Sequence, residues 1–202
     1  MARQSFTWGA EPDNGNQFDS TTELTLGVEF TVDGDRDCLG VKFRVPGTLP
    51  TAPIPAFVSI WDTGPTILAF KDFTWSSLSG DEGTDVEVDF DTPLALTDGT
   101  VYRAALQSFE RFVNTAGWAW PFVDEGGVLT ATANNGVLAV TYGYPNLVSG
   151  AGSNYFVSPI VEVDDLVEPD GAGRPTVSTT RGWFVTDSTK SGPITSATRR
   201  GP

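Results

Sequence analysis

The sequence predicts an all-β fold: an antiparallel β-sandwich of the jelly-roll type with an extended C-terminal arm. Short runs of apolar and β-branched residues alternate with polar residues, and Gly, Pro, Asn and Asp separate these runs. The runs recur about every 8 to 15 residues, and no segment has the apolar period of a helix. Together these features indicate strands joined by turns.

The first two strands form a hairpin in this interpretation. Residues 24–32 alternate, a turn follows at Asp33-Gly34-Asp35, and residues 38–45 alternate again. An Asp-Gly turn between two such runs is typical of adjacent antiparallel strands. Further strands are expected at residues 56–61, 67–70, 73–75, 85–90, 100–106, 127–130, 137–142 and 154–163.

One of these runs also predicts which side of its strand is buried. Val86, Val88 and Phe90 share one face of residues 85–90, and acidic residues occupy the other. This pattern is typical of an antiparallel sheet with one face in the core and one in water.

The chain is expected to divide into three segments: an N-terminal segment at residues 1–23, the sandwich at residues 24–164, and a linker with the arm at residues 165–202. Residues 168–202 carry five basic and three acidic residues, a net charge of +2. Since the whole chain has a net charge of −14, residues 1–167 have a net charge of −16. A basic arm beside an acidic body is consistent with docking onto a neighbouring subunit, or with an unpacked tail. Both interpretations stay open.

Four aromatic residues outside the sandwich are candidate assembly anchors, because aromatic side chains dominate interface energetics. They are Phe6 and Trp8 in the N-terminal segment and Trp183 and Phe184 in the arm.

Composition argues against several classes of function. The chain has no His and a single Cys, Cys38, so Ser–His and Cys–His catalysis, a disulfide and a thiolate metal cluster are not expected. The formal charge of −14 disfavours nucleic acid and anionic lipid as partners. No apolar run is long enough for a signal peptide or a membrane helix. We therefore expect a non-enzymatic protein without cofactors or membrane insertion, made in a cytoplasm.

Two groups of residues are candidate ligand sites. Asp33, Asp35 and Asp37 could supply oxygen ligands to a cation, although the Asp-Gly sequence also suits a plain turn. Trp118 and Trp120 would lie on one side of an extended chain and could stack on sugar rings, or could pack in the core or at a subunit contact.

Tyr142 and Tyr144 could add two more aromatic rings to a sugar-binding surface formed by Trp118 and Trp120. The adjacent pair Asp124 and Glu125 could bind sugar hydroxyls. This pair fits a glycosidase poorly, because neighbouring residues of a strand point to opposite faces whereas two catalytic carboxyls must face each other across a cleft.

The stretch from residue 24 to 163 resembles the β-sandwich family called domain of unknown function 4082, over about two-thirds of the chain. The matching words are Leu26-Gly27-Val28-Glu29-Phe30, Leu39-Gly40-Val41-Lys42-Phe43, Val58-Ser59-Ile60-Trp61, Leu68-Ala69, Val88-Asp89-Phe90-Asp91-Thr92-Pro93, Asp98-Gly99-Thr100-Val101-Tyr102, Asn135-Gly136-Val137 and Asn154-Tyr155-Phe156-Val157. The residues that depart from the pattern are 46–55, 110–125 and the arm.

This resemblance implies a jelly-roll-like sandwich, often found beside carbohydrate-binding modules. Similar domains occur among minor tail proteins of phages that infect actinobacteria, and the family has no established catalytic residues. The expectation is therefore a phage virion structural protein, a minor tail or tail-accessory component in contact with other virion proteins and further copies of itself. The alternatives are a module that binds cell-surface glycan and a capsid decoration protein.

Overall fold

The computed structural model describes residues 2–8, 14–50, 55–131, 136–140, 143–149 and 152–163. All of them belong to the compact unit Met1–Asp165. The predicted arm, with Trp183 and Phe184, lies outside the described residues, and so does Tyr142.

Within the described residues, twelve strands follow one another, with a single turn of 3₁₀ helix at Trp75–Leu78. The strands are β1 (Ala2–Gln4), β2 (Asn14–Val32), β3 (Arg36–Arg44), β4 (Pro55–Trp61), β5 (Ile67–Thr74), β6 (Asp85–Leu96), β7 (Tyr102–Asn114), β8 (Phe122–Val123), β9 (Leu129–Ala131), β10 (Gly136–Ala139), β11 (Leu147–Val148) and β12 (Val157–Val163). No helix in this part of the chain is long and apolar enough to cross a membrane.

The strands form two antiparallel sheets. The smaller sheet has the order β1-β12-β3-β6, and the larger has the order β11-β10-β2-β7-β4-β5. The short strand β9 pairs with the end of β2 and with β8, which completes the larger sheet. The predicted all-β sandwich is confirmed, but the predicted hairpin of the first two strands is wrong, because β2 lies in the larger sheet and β3 in the smaller one.

The hydrophobic core lies between the sheets and follows the period of two that the sequence shows. Along β2 the core side chains are Leu24, Leu26, Val28, Phe30 and Val32. On β6, Phe90 is buried and Val86 and Val88 pack against the core, whereas the acidic residues between them are exposed. The predicted inward and outward faces of residues 85–90 are therefore confirmed.

Glycines mark places where the backbones of two neighbouring segments come very close. A Cβ atom at Gly27 would lie 2.0 Å from the Ala104 carbonyl oxygen, and one at Gly40 would lie 2.3 Å from that of Val88. Both partners are in adjacent strands, so any side chain here would push the sheet apart.

The N-terminal residues take part in both sheets. β1 pairs with β12, with Ala2 opposite Val163, and β2 begins at Asn14. The segment at residues 1–23 thus supplies an edge strand to the smaller sheet and the first part of a central strand to the larger one.

Candidate functional site

An aromatic cluster fills one part of the core and contains several of the candidate residues. Its members are Phe6, Trp8, Trp118, Phe122 and Phe156. The ring centroids of Phe6 and Trp8 are 5.2 Å apart, and Phe6 is fully buried. The backbone N–H of Phe6 donates to the Ser158 hydroxyl at 2.8 Å, which ties this segment to β12. Phe6 and Trp8 are thus core residues of the sandwich, and their role as anchors to another subunit stays a prediction.

Trp118 and Trp120 lie in the connection between β7 and β8, where the chain is turned rather than extended. The Trp120 N–H donates to the Trp118 carbonyl at 3.0 Å, a two-residue closure typical of a γ-turn. The Trp118 ring packs edge-on against Trp8 at 6.0 Å and Phe156 at 5.6 Å. The Trp120 indole N–H donates to the Gly152 carbonyl at 3.0 Å, and its ring is half-buried. Both tryptophans are half-buried and pack against the core, and Trp118 does so through its ring contacts with Trp8 and Phe156.

Tyr144 belongs to a different group of residues, on the face of the larger sheet that points away from the smaller one. We call this the outer face. The Tyr144 ring lies 5.8 Å from that of Trp61, and its hydroxyl donates to the Thr63 carbonyl at 2.6 Å. In the same segment, the Gly143 N–H donates to the Thr25 hydroxyl at 3.2 Å. Residues 143–145 therefore cross the outer face from β2 to β4.

An ion pair on the outer face holds this crossing segment in place. The Arg103 guanidinium donates to Glu29 from two nitrogens, at 3.0 and 2.8 Å, and to the Pro145 carbonyl at 2.6 Å. Its central carbon lies 4.8 Å from the centre of the Tyr144 ring. The side chains of Arg103 and Glu29 are only 13% and 24% exposed, so water screens their attraction weakly.

Of the three aspartates at residues 33–37, Asp33 and Asp35 lie in the turn between β2 and β3, and Asp37 lies in β3. The Asp35 carboxylate accepts the Asp98 N–H at 2.9 Å, and the Asp98 carboxylate accepts the Gly34 N–H at 2.9 Å. These reciprocal bonds join the β2–β3 turn to the β6–β7 turn. Among the described residues, no group of three or more His, Cys, Asp or Glu side chains is arranged to hold a metal ion. Asp33, Asp35 and Asp37 are described residues and form no such group.

The pair Asp124 and Glu125 is split by burial. Asp124 is 5% exposed and accepts hydrogen bonds from the Gln4 amide and from the Leu129 and Gly126 N–H groups. Glu125 is exposed. Asp124 therefore joins the β8–β9 connection to β1 as a structural carboxylate.

Burial shifts the pKa of two groups on β3. It raises the pKa of the Cys38 thiol to about 12, since the side chain is fully enclosed. It lowers the pKa of the Lys42 ammonium, which donates to the Phe6 carbonyl at 2.7 Å.

Exposed apolar side chains form a feature that the sequence patterns do not identify. On β5, the exposed fractions are 40% for Ile67, 38% for Leu68 and 57% for Phe70. At the opposite end of the same sheet, the exposed fractions are 58% for Val140, which directly follows β10, and 48% and 55% for Leu147 and Val148 of β11. We call these sets the β5 edge and the β11 edge. Concentrated exposed apolar surface is typical of interaction sites.

A comparison with known families gives one match. A family model described as "Domain of unknown function (DUF4082)" matches residues 9–157. The chain belongs to this family. A search of curated proteins found no match.

The structure gives a physical reason for three glycines in the motifs that carry the resemblance to DUF4082. Gly27 and Gly40 are the two close approaches between neighbouring strands described above. At Gly136, a Cβ atom would lie 1.8 Å from the Ser153 carbonyl oxygen. These three glycines therefore mark close packing of the sandwich.

The sequence of the β5 edge is compatible with either an exposed or a buried strand. Residues 67–70 are an unbroken apolar run, and such a run is also typical of a fully buried strand. Only the position of β5 at the end of the sheet order separates an exposed edge from a buried centre.

Proposed function

We propose that this chain is a phage virion structural protein, a minor tail or tail-accessory component that acts by assembly and surface presentation. The observation that carries the proposal is the placement of the exposed large apolar side chains. Among the described residues, all of them except Val123 lie at the β5 edge or the β11 edge of one sheet. A protein that works by contact with other subunits needs such surface.

Ion pairs between strands stabilise the sandwich that presents these two edges. Arg103 and Glu29 join β7 to β2, and Arg44 and Asp85 join β3 to β6 with 2.6 Å between Arg44 Nε and Asp85 Oδ1. Arg3 pairs with Asp89 and thus joins β1 to β6. These pairs stabilise the contacts between strands. The tail position itself is supported by the resemblance to DUF4082 domains of minor tail proteins.

The test is to locate the protein in purified particles. Mass spectrometry of phage particles from a producing culture should identify the chain, and immunogold labelling should place it on the tail. Labelling of the head would replace the tail assignment by capsid decoration. Its absence from particles that carry their other structural proteins would refute the virion role.

A glycan-binding function is the second candidate, because Trp118 and Trp120 are both half-buried and part of each residue stays accessible. The two tryptophans permit a matched test. Trp120→Ala should abolish binding on a glycan array while the protein stays folded, whereas Trp118→Ala should lower stability because its ring packs on Trp8 and Phe156. Unchanged glycan binding by Trp120→Ala, or no binding by the wild type, would remove this candidate.

A further inference from the structure

We propose that copies of this chain associate head to tail through the larger sheet, with the β5 edge of one copy beside the β11 edge of the next. This inference rests on the proposed assembly function and names the partner as a second copy of the same chain. Each copy then uses both edges, so the contact repeats from one subunit to the next. Contacts of this heterologous kind generate rings when the rotation between copies closes, and filaments when it does not.

The two edges are ends of a single registered row on the outer face. Phe70 pairs with Ser59, Ser59 with Ala105 and Ala105 with Gly27. Gly27 pairs in turn with Val137, and Val137 with Val148. Paired residues of antiparallel strands point to the same face, so Phe70 and Val148 project on the same side at opposite ends of this row.

This row fixes how a second copy fits. Six strands span five intervals of about 4.8 Å and the junction between copies adds a sixth, so a shift of roughly 29 Å along the row places one copy beside the next. That shift brings Val148 of one copy next to Phe70 of its neighbour, on the same face. The exposed apolar residues at each edge then cover those of the other.

Strand direction is also compatible with this junction. Every neighbouring pair from β11 to β5 is antiparallel, and the path contains an even number of strands. The two edge strands therefore run in opposite directions. A copy shifted along the row meets its neighbour with β11 antiparallel to β5, so the junction continues the hydrogen-bonding pattern of the sheet. An edge strand leaves one side of its backbone unpaired, and a further strand satisfies these groups.

The distribution of charge favours contact between identical copies at these two edges. With a formal charge of −14, two copies repel each other over most of their surface. Residues 126–161, which include β9, β10 and β11, contain no Asp, Glu, Lys or Arg, and neither do residues 63–70. The next residue of β5, Lys71, is paired with Asp91. Asp72 follows it and is exposed on the same face as Phe70, so the proposed apolar contact is centred on the uncharged residues 67–70 and 147–148.

The experiment measures the mass of the full chain and of three variants by light scattering and native mass spectrometry. Phe70→Asp places a charge at the β5 edge, and Val148→Asp places one at the β11 edge. Val123→Asp is the matched control, because Val123 is 51% exposed and lies on β8, which is not one of the strands on the path from β11 to β5. We expect the wild type and Val123→Asp to form species larger than a dimer, and each edge variant to be monomeric.

Mixing the two edge variants decides the arrangement. Phe70→Asp keeps an intact β11 edge and Val148→Asp keeps an intact β5 edge, so a 1:1 mixture should form heterodimers and nothing larger. Far-UV circular dichroism and thermal melting confirm that each variant is folded. If Asp unfolds either one, Phe70→Ser and Val148→Ser replace them.

Three outcomes would overturn the inference: a monomeric wild type at concentrations where particles assemble, variants that associate like the wild type, or a β5–β5 dimer that Val148→Asp leaves intact. These results are independent of the particle experiment. Head-to-tail oligomers of a protein absent from particles would refute the virion role alone, whereas a monomer found in tails would refute this inference alone.

Discussion

Removing the Phe6 side chain distinguishes a core residue from an assembly anchor. Phe6 is fully buried, and its ring lies 5.2 Å from Trp8 and 5.6 Å from Phe122. Replacement of a buried Phe by Ala typically costs about 3 to 5 kcal/mol, because the cavity relaxes only in part. Since about 1 kcal/mol shifts the melting temperature of a domain of this size by 2 to 4 °C, Phe6→Ala should lower it by roughly 6 to 20 °C.

Urea unfolding monitored by tryptophan fluorescence measures this loss of free energy. Phe70→Ala is the matched control, since the same atoms are removed from a side chain that is 57% exposed. At protein concentrations too low for association, this control should change stability by less than about 0.5 kcal/mol. A loss below about 1 kcal/mol for Phe6→Ala, together with failure to assemble, would refute the assignment to the core and support the anchor role.

Three further predictions follow from features described above. Gly27→Ala should destabilise the sandwich by about 1 to 3 kcal/mol, because the new Cβ would lie 2.0 Å from the Ala104 carbonyl oxygen. Gly64→Ala is the control, since its Cβ would meet only the Asp62 side chain, at 3.3 Å. Equal melting temperatures for the two variants would contradict the prediction. Cys38, whose pKa burial raises to about 12, should resist iodoacetamide at pH 8 in the native protein and react after unfolding, as followed by mass spectrometry; alkylation at the rate of a free thiol would show that the site opens. Deletion of residues 168–202 should leave circular dichroism and melting temperature unchanged but prevent incorporation into particles, and normal incorporation would exclude an assembly role for the arm.

The period of two in the sequence predicts most of the central strands, because one face of each strand is buried. The residues of β6 illustrate this: Val86, Val88 and Phe90 turn inward and the acids turn outward. The turn at residues 33–35 is equally local, since Asp-Gly favours it and Gly34 has a φ of 73°.

Features that depend on distant residues could not be predicted in this way. β1 is a short polar strand, and only its pairing with β12 places it in a sheet. Trp118 and Trp120 have the spacing of an extended chain, but hydrogen bonds to Gly152 and the contact with Trp8 determine their actual positions.

Burial of the outer face is a further example of a long-range effect. Ser59 and Gln107 have the alternation of solvent-facing residues, yet they are 0% and 1% exposed. The crossing of residues 143–145 accounts for this in part, through the contacts of Tyr144 with Trp61 and of Gly143 with Thr25. Periodicity within one strand contains no information about a loop that returns across it.

The pairing of β1 with β12 makes the sandwich a transferable module. Ala2 lies opposite Val163, and directly paired residues of antiparallel strands have Cα atoms about 5 Å apart. A polypeptide can therefore enter and leave the domain at nearly the same point, so the sandwich can be inserted into a surface loop of an unrelated protein without stretching its host. The same proximity permits circular permutation, in which a short linker joins Val163 to Ala2 and new termini open in an exposed turn such as the one at Gly80 and Gly83.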